Sequence, residues 1–198
     1  SPYVTIIDGK NKIATPGFVD SLVHIIGGGG EGGFTTRTPE INLSDLTSAG
    51  ITTLVAALGT DSVTRCLAGL IAKAKQLKQL GLNCFTYTGS YHLPAKTITA
   101  DIQSDIILIE ECIGAGEIAI SDHRSSQPDY LQLASLAANA RVGGMLSGKA
   151  GIVSIHMGDS HLMFQPLYDV LEKTDIPITQ FYPTHINRNK KLLDAGIM

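Results

Sequence analysis

The sequence is short of the features that mark membrane, secreted and nucleic-acid-binding proteins. No apolar run reaches the roughly 18 residues that a membrane helix needs, so no transmembrane span is expected. The opening SPYVTIID has no basic stretch and does not read as a signal peptide. There is no CxxC pair, and the three cysteines, Cys66, Cys84 and Cys112, are odd in number. That usage fits a reducing compartment, with all three thiols expected in the interior, and the chain reads as cytoplasmic. No Lys/Arg cluster occurs and the formal net charge is -3, which argues against a nucleic-acid partner. Neither an internal repeat nor a low-complexity linker interrupts the 198 residues, so one globular domain with a real core is expected.

What is present is a regular alternation. Hydrophobic residues make up 43% of the chain and charged residues 17%, as in an ordinary globular protein, and the 21 glycines suggest many tight strand-to-loop turns. Candidate strands cover 17–24, 51–58, 83–89, 117–122, 152–157 and 178–184. Between them, helical patterns fit 41–49, 62–80, 102–113, 129–142, 163–174 and 189–195. In the second, Val63, Cys66, Leu67, Leu70, Ile71 and Ala74 recur at helical spacing. Gly50, Gly81 and Gly114 each follow a helical pattern, as C-terminal caps would. Residues 3–13 read as a short strand and turn outside the main body.

This is the βαβα rhythm of a parallel sheet buried on both faces. A doubly wound sheet gathers its site at one switch point, whereas a barrel draws site residues from many strand ends. His24, Thr60, Tyr91, His123 with Arg124, His156 and His185 all fall at strand ends, which favours the barrel. About six βα units are visible, and a closed barrel needs eight strands. An incomplete barrel with an exposed parallel edge is therefore expected, covered by a partner chain or by another copy.

Several groups could carry chemistry. His156 and His185 end consecutive strands, close enough to share a metal, and Glu117 could add a carboxylate. Alternatively each imidazole bonds loop backbone. Arg124 and Arg188 follow strand ends, where they could grip a carboxylate or simply lie in solvent. The GGGGE run of Gly27–Glu31 lets backbone approach a ligand, with Glu31 beside it for an ammonium, or it is a plain flexible loop. It is no phosphate loop, because no GK[ST] follows. Tyr91 could donate to a developing oxyanion or pack at the rim.

Taken together, IDGKNKIATPGFVD, GGGGEGGFTTRTPE, LGTDS, TGSYHLP, AISDHRS, ARVGGMLSGK, HMGDS and PTHINRN resemble the bacterial isoaspartyl dipeptidases of the amidohydrolase superfamily. The resemblance runs nearly the whole length of the chain. It implies an α/β fold: a distorted (β/α)8 TIM barrel, here incomplete at 15–198, with 1–14 a remnant of a flanking β-sandwich. It also implies an octameric assembly and two zinc ions activating a hydroxide that attacks the β-aspartyl bond of a dipeptide. By position, His24 matches a ligand of the first zinc, and His156 and His185 match ligands of the second. Glu31 matches the residue holding the substrate ammonium, with Gly29 and Thr60 lining the same pocket. Arg124 and Arg188 match the carboxylate-binding pair, and Tyr91 the donor to the tetrahedral intermediate.

Three departures accompany these matches. Leu22 stands where the family has the first histidine of His-x-His, and Glu117 stands at its bridging carboxylated lysine. The family's general-base aspartate is matched by no residue up to Met198. The resemblance thus implies a metal-dependent β-aspartyl dipeptidase impaired in this chain, with one zinc or none. The alternative is an inactive homologue serving as a structural or binding subunit.

Overall fold

A computed structural model describes residues 3–197. Strands and helices alternate as β1 (Phe18–Val23), α1 (Leu43–Ser48), β2 (Ile51–Ala56), α2 (Leu67–Gln79), β3 (Asn83–Thr88) and α3 (Ile102–Leu108). They continue as β4 (Cys112–Ile120), α4 (Tyr130–Ser147), β5 (Ile152–Met157), α5 (Gln165–Lys173), β6 (Phe181–Thr184) and α6 (Lys190–Ile197). The strands form one six-stranded sheet in the order β1-β2-β3-β4-β5-β6, and every neighbouring pair is parallel. Strictly sequential order leaves no switch point, so the sheet is not doubly wound. It curls into part of a barrel. Ser21 Oγ on β1 lies 2.9 Å from Tyr182 Oη on β6, although these strands are the two edges of the sheet. Laid flat, six strands at about 4.8 Å spacing would hold those edges roughly 24 Å apart.

Period-two alternation divides the apolar residues between two faces. On the outer face Leu54, Ala56 and Cys84 pack with Leu46 of α1 and with Leu67, Leu70, Ala74 and Leu77 of α2. Further round, Ile118, Ile120, Val153, Ile155 and Met157 pack with Ile106, Leu133, Ala137, Leu167 and Val170 of the next three helices. Each fully buried side chain of this size contributes about 1.5–3 kcal/mol. These outer clusters hold the curl. The inner face carries a smaller group, Val55, Ala57 and Tyr87, with Leu22, Phe85, Ile113 and Ile152 packed against it.

Several boundaries differ from the sequence reading. The second helix begins at Leu67 rather than 62, because Asp61 Oδ1 accepts from the amides of Val63 and Thr64 at 3.0 and 2.9 Å and holds that stretch as a turn. Val63 and Cys66, expected inside, are exposed as a result. The third helix stops at Leu108, and β4 starts at Cys112, five positions before the expected 117. Gly114 consequently lies within β4 and caps nothing, whereas Gly50 and Gly81 do follow helices with φ of +74° and +100°. The fourth helix runs on to Ser147, where Gly148 supplies the left-handed cap. Residues 3–13 keep a turn, with Lys12 N donating to Gly9 O at 3.0 Å, but hold no strand. An isolated strand without a hydrogen-bonded partner is not stable, and Val4, Ile6, Ile7 and Ile13 are exposed. Among the described residues, no helix is long and apolar enough to cross a membrane.

Candidate metal and substrate site

The site is organised by an irregularity in β4. Ala115 pairs with Val153 and Ile118 with Ile155, so Gly116 and Glu117 together face the single residue Ser154. This is a β-bulge, which re-aims the side chain beside it. Gly116 has φ +144°, and a Cβ there would stand 2.7 Å from the Ser154 carbonyl, so only glycine fits. The bulge turns Glu117 into the barrel mouth, where it is fully buried.

Glu117 Oε1 lies 2.8 Å from His156 Nδ1 and 2.9 Å from His185 Nε2. Both imidazoles arrive as expected from the ends of adjacent strands; His156 pairs in register with Thr184, the residue before His185. Oε2 is buried with no hydrogen-bond partner, and His24 Nε2 stands 3.9 Å from it. Burial resists ionisation of Glu117, but the contacts from His156 and His185 outweigh it and bring its pKa down to about 2. His24 Nδ1 lies 3.0 Å from the carbonyl of Ala57. A carbonyl only accepts, so Nδ1 carries the proton and Nε2 presents its lone pair to the site.

These residues fit one divalent ion. Glu117, His156 and His185 each offer a ligand atom within 4.8 Å of the others, and two imidazoles with a carboxylate form a metal-binding set with an open position. The orphaned Oε2 is a further sign, since a buried carboxylate oxygen without a partner is costly. Among the described residues, a second ion finds only His24 and that oxygen. Leu22, at the position where another ligand was expected, packs instead against the Val55, Ala57 and Tyr87 group.

The remaining expected residues gather around the imidazoles. Tyr91 Oη is 2.9 Å from His156 Nδ1, and burial holds the phenol well above its ordinary pKa, so it stays protonated. Arg124 sits over the Tyr91 ring at 5.6 Å, and its Nη1 is 3.2 Å from Glu31 Oε1. Thr60 donates to the same Glu31 oxygen at 2.7 Å, the main reason that the Glu31 pKa is lowered. Arg188 donates from Nε to the Met157 carbonyl at 3.1 Å, with Nη2 3.2 Å from His156 Nε2. Gly29 bridges to Arg37 and lines, with Glu31 and Thr60, a cavity of about 260 Å³. A larger cavity of about 480 Å³, against α4, shares no residue with this group. His123 is largely exposed, with its Nδ1 3.6 Å from Asp122 Oδ1.

No protein-family model matches the sequence. Two solved structures do match in both fold and sequence. The β-aspartyl dipeptidase of the thermophilic, keratin-degrading Fervidobacterium islandicum AW-1 superposes with a TM-score of 0.90 at 55% identity, over 92% of this chain and 50% of that one. The same organism's β-aspartyl dipeptidase in complex with a β-Asp-Leu dipeptide gives 0.89 and 55%, over 92% and 49%. The chain belongs to the β-aspartyl dipeptidase family. It spans about half the length of these dipeptidases.

Within this dipeptidase fold, sequence reasoning overlooked four contributors. Asp122 is buried between Arg124 and His156, and its signal was an acid two places before a strand-end arginine. His92 Nε2 donates to the Arg124 carbonyl at 2.8 Å. Arg65, buried at the start of the second helix, donates to the carbonyls of Ile26 and Thr38 at 3.1 and 3.0 Å and so clasps both ends of the glycine loop. Asp61 holds Arg37 of that loop at 2.8 Å. The last three show in no local pattern, because each acts on a segment distant in sequence.

Proposed function

We propose that this chain is the metal- and substrate-binding part of a β-aspartyl dipeptidase barrel, binding one divalent ion and a β-aspartyl dipeptide and hydrolysing it weakly. The observation that carries this reading is Glu117, a fully buried carboxylate with one oxygen between two imidazoles and the other without a partner. Glu117, His156 and His185 would hold the ion, zinc by family resemblance. Such an ion supplies Lewis-acid polarisation of the scissile carbonyl and acidifies water.

The protein side chains divide the dipeptide between them. Glu31 and Arg124 already form an ion pair at 3.2 Å. A zwitterionic ligand replaces it with two contacts, its ammonium on Glu31 and Thr60 and its carboxylate on Arg124 and Arg188, where guanidinium forks bind bidentately. Gly29 lets backbone approach the ammonium end. Tyr91, kept protonated by burial, donates to the oxygen on which charge develops.

Weak turnover follows from what surrounds the group. Leu22 removes one ligand of a second ion, and the carboxylates of Glu31, Glu117 and Asp122 are all engaged by arginine or imidazole. Among the described residues no free carboxylate stands beside the site, and because a proton acceptor is typically worth about 10²–10⁴-fold, turnover by these residues alone is expected to be weak. The Leu22 substitution also supports a second reading, a binding or structural subunit without catalysis. The open edges β1 and β6, where Phe18, Val19 and Tyr182 are exposed, suit assembly with other copies or a partner chain. Cys66, Cys84 and Cys112 are all unpaired, which suits a reducing, cytoplasmic setting.

Metal content by mass spectrometry, with calorimetric titration of β-Asp-Leu against its α-linked isomer, tests this. One equivalent of metal and selective binding of the β-linked dipeptide are expected. No metal and no preference would overturn the proposal in favour of an inert scaffold.

A further inference from the structure

We propose that Asp122 is a positioning residue that couples the metal-binding imidazole of His156 to the carboxylate-binding guanidinium of Arg124. This rests on the one-ion reading above. Asp122 lies in the loop after β4 and is only 4% exposed. The loop is seated against the end of β5. Gly158 N donates to Ile120 O at 3.0 Å, and Ser160 N to Ser121 O at 3.0 Å. A Cβ on Gly158 would stand 2.6 Å from that of Asp122, so the missing side chain at 158 is what lets the carboxylate reach His156. The Asp122 carbonyl is also used, accepting from Ser125 N at 3.1 Å and Gln127 Nε2 at 2.8 Å. The residue is thus fixed at both backbone and side chain.

Both of its oxygens accept from Arg124, and one of them also meets His156. Oδ1 accepts from the Arg124 amide at 2.8 Å and from Nε at 3.0 Å. Oδ2 accepts from Arg124 Nη2 at 2.7 Å and lies 3.2 Å from His156 Nε2. Because His156 Nδ1 faces Glu117, Nε2 is the nitrogen that carries the ring proton when Nδ1 serves as ligand. Three groups surround Nε2 at 3.2 Å: Arg124 Nη2, Arg188 Nη2 and Asp122 Oδ2. Guanidinium nitrogens only donate, so Asp122 is the one acceptor of the three. A carboxylate on the far nitrogen of a ligating imidazole fixes its tautomer and raises its basicity, and loss of such a partner typically weakens metal binding about 10–100-fold. The same carboxylate sets the plane of Arg124. One side chain therefore sets the metal group and the substrate-carboxylate group relative to each other.

The test is zinc affinity, measured by competition with a chromogenic chelator on the full chain, alongside melting of the zinc-free protein. Asp122→Ala is expected to weaken zinc about 10–100-fold. Asp122→Asn, which keeps an acceptor oxygen without charge, should fall between it and the parent and serves if the alanine variant does not fold. Arg124→Ala should lose β-Asp-Leu binding while keeping zinc affinity. Equal zinc affinity in parent and both Asp122 variants overturns the coupling alone, as does an equal loss in Arg124→Ala. A parent chain that binds no zinc overturns the one-ion reading and the coupling with it.

Discussion

The substitution Leu22→His asks whether one apolar residue separates this chain from a two-ion centre. Leu22 is half-buried against Val55, Ala57 and Tyr87, and its neighbour two residues on, His24, aims Nε2 at Glu117 Oε2 from 3.9 Å. Replacing the isobutyl group removes apolar burial worth about 1 kcal/mol, part of the 1.5–3 for a fully buried leucine. For a chain of this size that lowers Tm by roughly 2–4 °C. The new imidazole, with His24 and the unpartnered oxygen, completes a second three-ligand group. An additional ion at about 100 times its Kd stabilises the fold by about 2.7 kcal/mol, enough to raise Tm by roughly 5–11 °C. The signs therefore cross. Without zinc the variant melts below the parent, and in excess zinc it melts above it, with metal content rising from one equivalent to two. Melting curves across a zinc titration, with metal analysis of the gel-filtered protein, read both quantities. Unchanged stoichiometry with no crossing would refute the claim that Leu22 occupies a ligand position.

Other outcomes follow from the same geometry. Gly116→Ala should cost about 1–3 kcal/mol from its backbone conformation alone, lowering Tm by roughly 2–4 °C per kcal/mol and abolishing zinc uptake; an unshifted melt with normal zinc binding counts against the bulge as the device that aims Glu117. Tyr91→Phe should lower any residual β-Asp-Leu turnover about 10²–10³-fold while calorimetric affinity for the dipeptide holds, and a parallel loss of affinity would make Tyr91 a ground-state contact instead. The Asp61 carboxyl is held well below its usual range by Thr64, with Arg37 assisting. A depressed folded-state pKa gives stability that is present above the ordinary carboxylate value and lost as pH falls below it. Asp61→Asn should therefore flatten the acid limb of stability below about pH 4, read by urea melts at stepped pH; an unchanged limb contradicts the assignment.

Much of the architecture was legible in the sequence because it is written in periodicity and punctuation. The alternation of short β-rich runs with amphipathic stretches, and glycines such as Gly50 and Gly81 at helix ends, are local signals. The grouping of His156 with His185 was equally accessible, since residues at the ends of adjacent parallel strands must be neighbours. Where local spacing misled, a tertiary contact had overridden it. Val63 and Cys66 continue the helical pattern, yet Asp61 captures the preceding amides and delays the helix to Leu67. β4 was placed late because Glu110 and Glu111 precede it and its first half contains Gly114 and Gly116, which read as a helix end and a turn. It forms a strand because Thr86 and Tyr87 offer it a register.

The sequence by itself determined the parallel, helix-covered architecture, the family and the residue types at the barrel mouth, because each rests on the order of side chains along a few consecutive residues. Only the tertiary structure decided three things. Glu117 is aimed by a bulge set against Ser154, Leu22 belongs to the inner apolar group, and Asp122 stands between His156 and Arg124. Each depends on how a residue on one strand meets the strand or loop beside it, a relation of register and close approach that no local spacing encodes.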